Sequence, residues 1–210
     1  MRGVSVLDAA FFRRWMLATA ASVDREAERL TALDSPIGDA DHGGNLRRGF
    51  TAVRDALEKE PPATPGAVLT LAGRLLISKV GGASGPLYGT LLRRAGKTLG
   101  DAAEVDEQQL AEALRAGVDA VRQLGGAAPG DKTMIDALVP AVDALGSSFA
   151  AARSAAEEAA VATTPMQAHK GRASYLGERS IGHQDPGATS AALLIAALET
   201  AAAGTEADGE

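Results

Sequence analysis

The chain has 210 residues, a mass of 21.3 kDa and a formal charge of −6. Hydrophobic residues make up 46% and charged residues 23%, which excludes a disordered chain and leaves enough apolar surface for a sizeable core. The absence of cysteine rules out disulfides, thiolate metal sites and cysteine nucleophiles and fits a reducing cytoplasm, and the absence of a basic stripe interleaved with aromatics argues against nucleic acid.

Aromatics are only 3% while alanine is abundant, a balance that favours closely packed helices over a β-sandwich. Val4, Leu7, Phe11, Trp15 and Ala18 recur at three- and four-residue steps and predict a first helix reaching about Leu33. The stretch Arg13 to Ser22 resembles part of a signal peptide, but its apolar run is short and Asp8 precedes the basic pair, so it reads as helix. Residues 43–59 predict a second helix, closed by Pro61-Pro62, and 65–79 a third, ended by Gly81-Gly82. Pro86 suits the first turn of a fourth. Leu110, Leu114, Val118 and Val121 mark a fifth, ending at Gly125-Gly126.

A sixth helix starts near Asp131 or Thr133, where Thr133 and Asp136 stand at capping-box spacing, and Pro140 should kink it. Residues 150–163 predict a seventh, followed by a structureless loop over 164–185. Asp185-Pro186 opens an eighth, whose body from Ala188 to Ala203 is apolar nearly all round and therefore buried. No segment alternates cleanly as a strand, and no apolar run reaches the roughly 18 residues that span a bilayer. Short connections between eight helices predict an all-α, up-and-down antiparallel barrel or bundle, a single domain over 1–204 with an acidic tail at 205–210.

Four connections are too rich in Gly, Asp, Ser and His to be mere turns. Between helices one and two, Asp34, Asp39 and Asp41 place three carboxylates within eight residues. Like charges held so close call for a cation, and all-oxygen ligation suits a hard one such as Mg²⁺ or Ca²⁺. The spacing is not that of an EF-hand. The second loop, Gly81 to Pro86, leads into a helix start, which attracts anions, but carries no Walker A signature, and the third, Gly125 to Met134, suits contact with a nucleotide base or sugar but by itself reads as a turn with a cap. The fourth, Lys170 to Gly187, brings two arginines suited to phosphate. In an up-and-down bundle all four lie at one end, forming a mouth suited to a Mg²⁺–phosphate ligand. No hydrolytic nucleophile–base pair is evident, whereas phosphoryl transfer needs chiefly positioning and charge neutralisation.

The segments Ile37 to Gly43, Gly82 to Gly89, Gly130 to Asp136, Lys170 to Tyr175 and Pro186 to Ala188 resemble the nucleotide-binding L subunits of dihydroxyacetone kinases. The resemblance implies an eight-helix barrel holding ADP or ATP through two Mg²⁺ ions at one end, with Asp34, Asp39 and Asp41 as metal ligands. It implies nucleotide contacts at His42, Gly43, Gly44, Asn45, Ala83, Ser84, Gly125, Met134, Arg172, Asp185, Pro186 and Gly187. ATP-dependent members carry a second, substrate-binding domain for which 210 residues leave no room. The expectation is therefore a cytoplasmic phosphoenolpyruvate–glycerone phosphotransferase subunit. Its partners are a K subunit that holds dihydroxyacetone and a phosphotransferase M subunit that recharges ADP in place. Pairing into a homodimer stays open, as do a related kinase for another small ketose and a non-catalytic ADP-sensing module. Phe11, Phe12 and Trp15 read as core, and Arg13, Arg14, Arg47 and Arg48 as solvated helix faces.

Overall fold

A computed structural model of the chain describes residues 6–207. Its eight α-helices are α1 (Ala9–Asp34), α2 (His42–Lys59), α3 (Pro65–Lys79), α4 (Ser84–Leu99), α5 (Glu107–Gly125), α6 (Met134–Ala144), α7 (Phe149–Ala162) and α8 (Pro186–Ala207). Each packs on the next in the chain, and α8 packs back on α1, so the helices close into a ring. Leu, Val, Ala and the aromatic residues fill its interior. Phe12, Trp15 and Met16 are fully buried, and the Trp15 indole Nε1 donates to the Leu194 carbonyl 2.8 Å away. The expected all-α barrel is present.

The tightest junction is α3 against α4. A Cβ on Gly66 would lie 2.7 Å from the Gly96 carbonyl oxygen, and one on Gly73 would lie 2.7 Å from that of Gly89. Gly66 thus faces Gly96 and Gly73 faces Gly89, seven residues forward on one helix and seven back on the other, as antiparallel neighbours require. Only glycine lets two helix backbones approach this closely.

The sequence reading missed a short ladder. Leu7–Asp8 (β1) pairs antiparallel with Glu104–Val105 (β2), joining the start of α1 to the α4–α5 connection. Two residues are too few for a visible alternation, and the ladder exists because the ring brings distant segments together. Leu7 accordingly belongs to a strand rather than to the first helix, Asp8 caps α1 by accepting from the Phe11 N–H at 2.9 Å, and Val4 lies outside the described residues. Helix α6 continues past Pro140. Part of the connection expected to be structureless forms 3₁₀ turns over Arg172–Ser180, broken at Gly177, whose φ is +56°. Helix α8 runs to Ala207, so it enters the segment read as a tail, and residues 208–210 lie outside the described ones. Against the expectation of no spanning segment, Pro186–Gly204 is long and apolar enough to cross a membrane. Here it packs against α1, α6 and α7 as part of the ring. Arg13 and Arg14 are not solvated as read: both are only half exposed, and Arg14 Nε donates to the Ala201 carbonyl at 3.3 Å.

Gly73→Ala should destabilise the protein by ~1–3 kcal/mol, the usual cost of overpacking, lowering the melting temperature by roughly 2–4 °C per kcal/mol. The new methyl group would meet the backbone at Gly89 and Arg93, which cannot yield without moving α4. Thermal melts followed by circular dichroism check this, and an unchanged transition would contradict the close packing.

Candidate functional site

The connections α1–α2, α3–α4, α5–α6 and α7–α8 surround one cavity of about 540 Å³ at one end of the ring. Asp34, Asp39 and Asp41 come from the first, Ala83 and Ser84 from the second, Gly125 and Met134 from the third, and Arg172, Asp185, Pro186 and Gly187 from the fourth. The four suspected loops therefore do meet at one mouth.

The carboxylates of Asp34, Asp39 and Asp41 each offer an oxygen within 4.8 Å of the others, close enough for one cation to touch all three. Asp34 is buried at the last position of α1, and its Oδ2 accepts from the Asp41 N–H at 3.0 Å and the His42 N–H at 3.2 Å. Ala40 between the other two is left-handed, with φ of +58°. That conformation is costly for alanine and turns the chain so that Asp39 and Asp41 both approach Asp34. A side chain on Gly38 would collide with the Asp34 carboxylate. The one opposite charge on this cluster among the described residues is Arg172, whose Nη2 lies 3.0 Å from Asp39 Oδ2.

Helices α1, α3, α5, α6 and α7 each begin with a side-chain cap, and Asp185 Oδ2 caps α8 by accepting from the Ala188 N–H at 2.7 Å. The N-cap residues of α2 and α4, Asp41 and Ala83, make no side-chain cap of their own, and at α2 the Asp34 carboxylate takes only the Asp41 and His42 N–H groups. These two starts face the mouth, where uncapped N–H groups and the positive end of the helix dipole attract an anion. At Gly44, in the first turn of α2, an added Cβ would meet nothing within 4 Å. Leu87, Val121, Leu124 and Ile135 also line the cavity and give part of its wall an apolar surface.

His42 lines the cavity, and the side chains of His42 and Asn45 and the backbone at Gly43 also have partners within the fold. The His42 ring is buried, with Nε2 at 2.9 Å from Ser190 Oγ and Nδ1 at 3.1 Å from Ser84 Oγ. Both ring nitrogens are engaged within the protein. Burial pushes the His42 pKa down, against the attraction of Asp34 and Asp41. A Cβ on Gly43 would strike the Ala27 carbonyl, so this glycine lets α2 lie on α1. The Asn45 amide is buried beside Gly81 and accepts from Arg48. The Ser84–His42 contact is also a hydroxyl–imidazole pair of the kind that the sequence did not reveal.

Sequence reasoning missed the inner support of the site. Tyr88 is buried with its hydroxyl 2.6 Å from Ser190 Oγ, and Ser190 donates to the Gly187 carbonyl at 3.1 Å. Burial raises the Tyr88 pKa, so the phenol stays protonated. The Thr133–Asp136 capping box is present as the spacing suggested: Thr133 N–H donates to Asp136 Oδ2 at 2.7 Å, and Gly130 N–H to Oδ1 at 2.6 Å. Tyr88 and Ser190 sit inside ordinary-looking helical stretches, so nothing local marks them.

Burial raises the pKa of Asp185 to about 7, with the Ala188 N–H pulling it down, Asp136 pushing it up and Lys132 pulling it down. A carboxyl whose folded pKa is raised binds more protons folded than unfolded, so stability falls as pH rises from about 4 to about 7. The slope is at most ~1.4 kcal/mol per pH unit. His42, with a lowered pKa, contributes the opposite slope near its unfolded value. Asp185→Asn keeps a cap and removes the titration, so its stability relative to the native protein should rise with pH across that window. Urea denaturation at pH 5 and pH 8 measures the difference, and an equal effect at both would contradict a buried, titrating Asp185.

The chain belongs to the DAK2 domain family, which matches residues 36–200. It is 46% identical over 198 residues to the Escherichia coli K12 "PEP-dependent dihydroxyacetone kinase, ADP-binding subunit DhaL", covering 90% of this chain and 94% of that one. It is 43% identical over 187 residues to the L-erythrulose 1-kinase of Mycolicibacterium smegmatis, covering 83% of this chain and 32% of that larger protein. Among solved structures it matches the dihydroxyacetone kinase of C. freundii in complex with AMP-PNP and Mg²⁺, with a TM-score of 0.74 and 28% identity. That match covers 91% of this chain and about a third of the kinase, 34%. The ring of helices is thus the fold of a DAK2 domain, and the chain is similar along nearly its whole length to free-standing ADP-binding subunits.

Proposed function

We propose that this chain is the ADP/ATP-binding, phosphoryl-donating L subunit of a dihydroxyacetone kinase. The observation that carries this reading is the convergence at one mouth of three carboxylates, two helix starts whose N-cap residues make no side-chain cap, and an apolar wall. A nucleotide has matching parts: metal-bound phosphates at one end and a flat, mostly apolar base at the other. The name of the E. coli relative and the AMP-PNP and Mg²⁺ bound by the C. freundii kinase support it.

Asp34, Asp39 and Asp41 are the residues that would hold Mg²⁺, two ions in our reading. The donor set fits, since it is all oxygen and carries more negative charge than Arg172 alone balances. Magnesium supplies positive charge that offsets charge on the transferring phosphoryl group. The N–H groups of the first turn of α2 beyond His42 and those at the start of α4 bind the phosphates, and Gly44 leaves room for close approach. Leu87, Val121, Gly125 and Met134 hold the base. Arg172, already beside Asp39, is placed to take a phosphate oxygen. The bond from the terminal phosphorus to ADP breaks as one forms to a hydroxyl of dihydroxyacetone held on a K subunit, whose own base takes the hydroxyl proton. A phosphotransferase M subunit then rephosphorylates ADP in place, in the cytoplasm. The match to L-erythrulose 1-kinase favours one alternative, donation to another small ketose from an exchanging ATP.

Asp39→Ala and Asp41→Ala should each reduce Mg²⁺-dependent ADP affinity by at least about tenfold, the loss of ~1.4 kcal/mol or more, while leaving the helical spectrum intact. Isothermal titration in magnesium and in chelator checks this, and unchanged affinity in both variants would sink the metal assignment.

Division of labour has its own test. ATP-loaded protein mixed with a K subunit should phosphorylate one equivalent of dihydroxyacetone and stop, with the M subunit and phosphoenolpyruvate needed to continue. Sustained turnover on free ATP alone would favour the exchanging kinase.

A further inference from the structure

Lys132 is almost completely buried, at 1% exposure, and its backbone is left-handed with φ of +61°. Burying an ammonium group and holding a lysine at positive φ are both unfavourable. Two short charge-assisted bonds compensate: Nζ donates to the Met166 carbonyl at 2.9 Å and to the Ser180 carbonyl at 2.6 Å. These carbonyls stand near the two ends of the α7–α8 connection. Other bonds close the same loop. Gly182 N–H donates to Thr164 O at 2.8 Å, Ala168 N–H to Ser180 Oγ at 2.9 Å, and His169 N–H to Asp131 O at 3.1 Å. The connection is therefore a compact loop with its ends drawn together around one ammonium. Its outer limb lines the cavity from Lys170 to Ala173 and carries the Arg172 that pairs with Asp39. Its end is Asp185, whose carboxylate acts electrostatically on Lys132.

We infer that Lys132 is a positioning residue for the nucleotide site: its ammonium, shared between the Met166 and Ser180 carbonyls, fixes the α7–α8 loop so that Arg172 stands at the mouth beside Asp39. This rests on the nucleotide-binding reading above. Lys132 also borders the cavity, but its ammonium is taken up by the two carbonyls, so it acts through Arg172. An apolar residue of similar length would fill the space but leave the buried Ser180 carbonyl and the half-buried Met166 carbonyl without this donor and remove the cation near Asp185. The loop would then stay attached at its ends yet lose its fixed course.

The test uses the full chain loaded with a fluorescent ADP analogue in magnesium and chased with ADP. Lys132→Met and Arg172→Ala should each speed release roughly tenfold, or ~1.4 kcal/mol. The double variant should release no faster than the quicker single variant, because both changes remove the same contact. Lys132→Arg, which can still donate to two carbonyls, should restore most of the retention. Multiplying effects in the double variant, or native release from Lys132→Met, would overturn the inference.

A second arm needs no variant to fold. In the native protein an amine-reactive ester should label Lys132 no faster than the amides of Ala168 and Gly182 exchange, since all three require the same opening. Labelling as fast as at exposed Lys97 would also overturn it. Failure of the native protein to bind the ADP analogue would instead reject the nucleotide reading, and the labelling arm then decides the clasp by itself.

Discussion

Asp34 stands where a carboxylate is least favoured. It is the last residue of α1, at the negative end of a 26-residue helix, and it is buried. What holds it is the start of the next helix: the N–H groups of Asp41 and His42 both donate to its Oδ2. One carboxylate thereby joins the negative end of α1 to the positive end of α2. The rest of the mouth depends on that junction. It fixes the turn that carries Asp39, it forces the left-handed Ala40, and it requires a glycine at position 38. It also occupies two of the N–H groups that would otherwise need a cap, which leaves the remainder of the first turn of α2 for an anion.

The other elements support this junction from behind. The His42 ring points inward, where Ser84 links it to the start of α4 and Ser190 links it to α8 and Tyr88. Three helix starts are thus tied through one imidazole. Such a buried polar chain adds little net stability per bond, but it fixes geometry, because any break leaves an unpaired group in a low-dielectric interior. The far end of the ring is closed differently, by the β1–β2 ladder and the glycine contacts of α3 and α4. The molecule is closed by backbone contacts at that end and holds its carboxylate cluster at the open one.

Clustered carboxylates, left-handed alanine and lysine, a carboxyl with its pKa raised to about 7 and two helices whose N-cap residues make no side-chain cap are all locally unfavourable. They share one cavity. Their concentration is what a site prepared for a charged ligand requires, since the energy of binding then offsets strain already built into the fold.

Much of this was written in the sequence. The apolar spacing marked the helices, Pro and Gly marked their ends, and the alternation of loops along an up-and-down chain placed four polar connections at one end. Asp34, Asp39 and Asp41 were legible because three carboxylates in eight residues are a local pattern. The roles of His42, Tyr88, Ser190 and Lys132 were not. Each depends on a partner far away in sequence: Ser190 lies 148 residues from His42, and Ser180 lies 48 from Lys132. The β1–β2 ladder and the glycine contacts of α3 with α4 have the same origin. Local spacing determines which face of a helix is apolar and where the chain can turn. Which polar groups end up inside, and on what they close, was decided only when the ring of helices brought its ends together, because a buried hydrogen bond is specified by its distant partner and not by its neighbours in the chain.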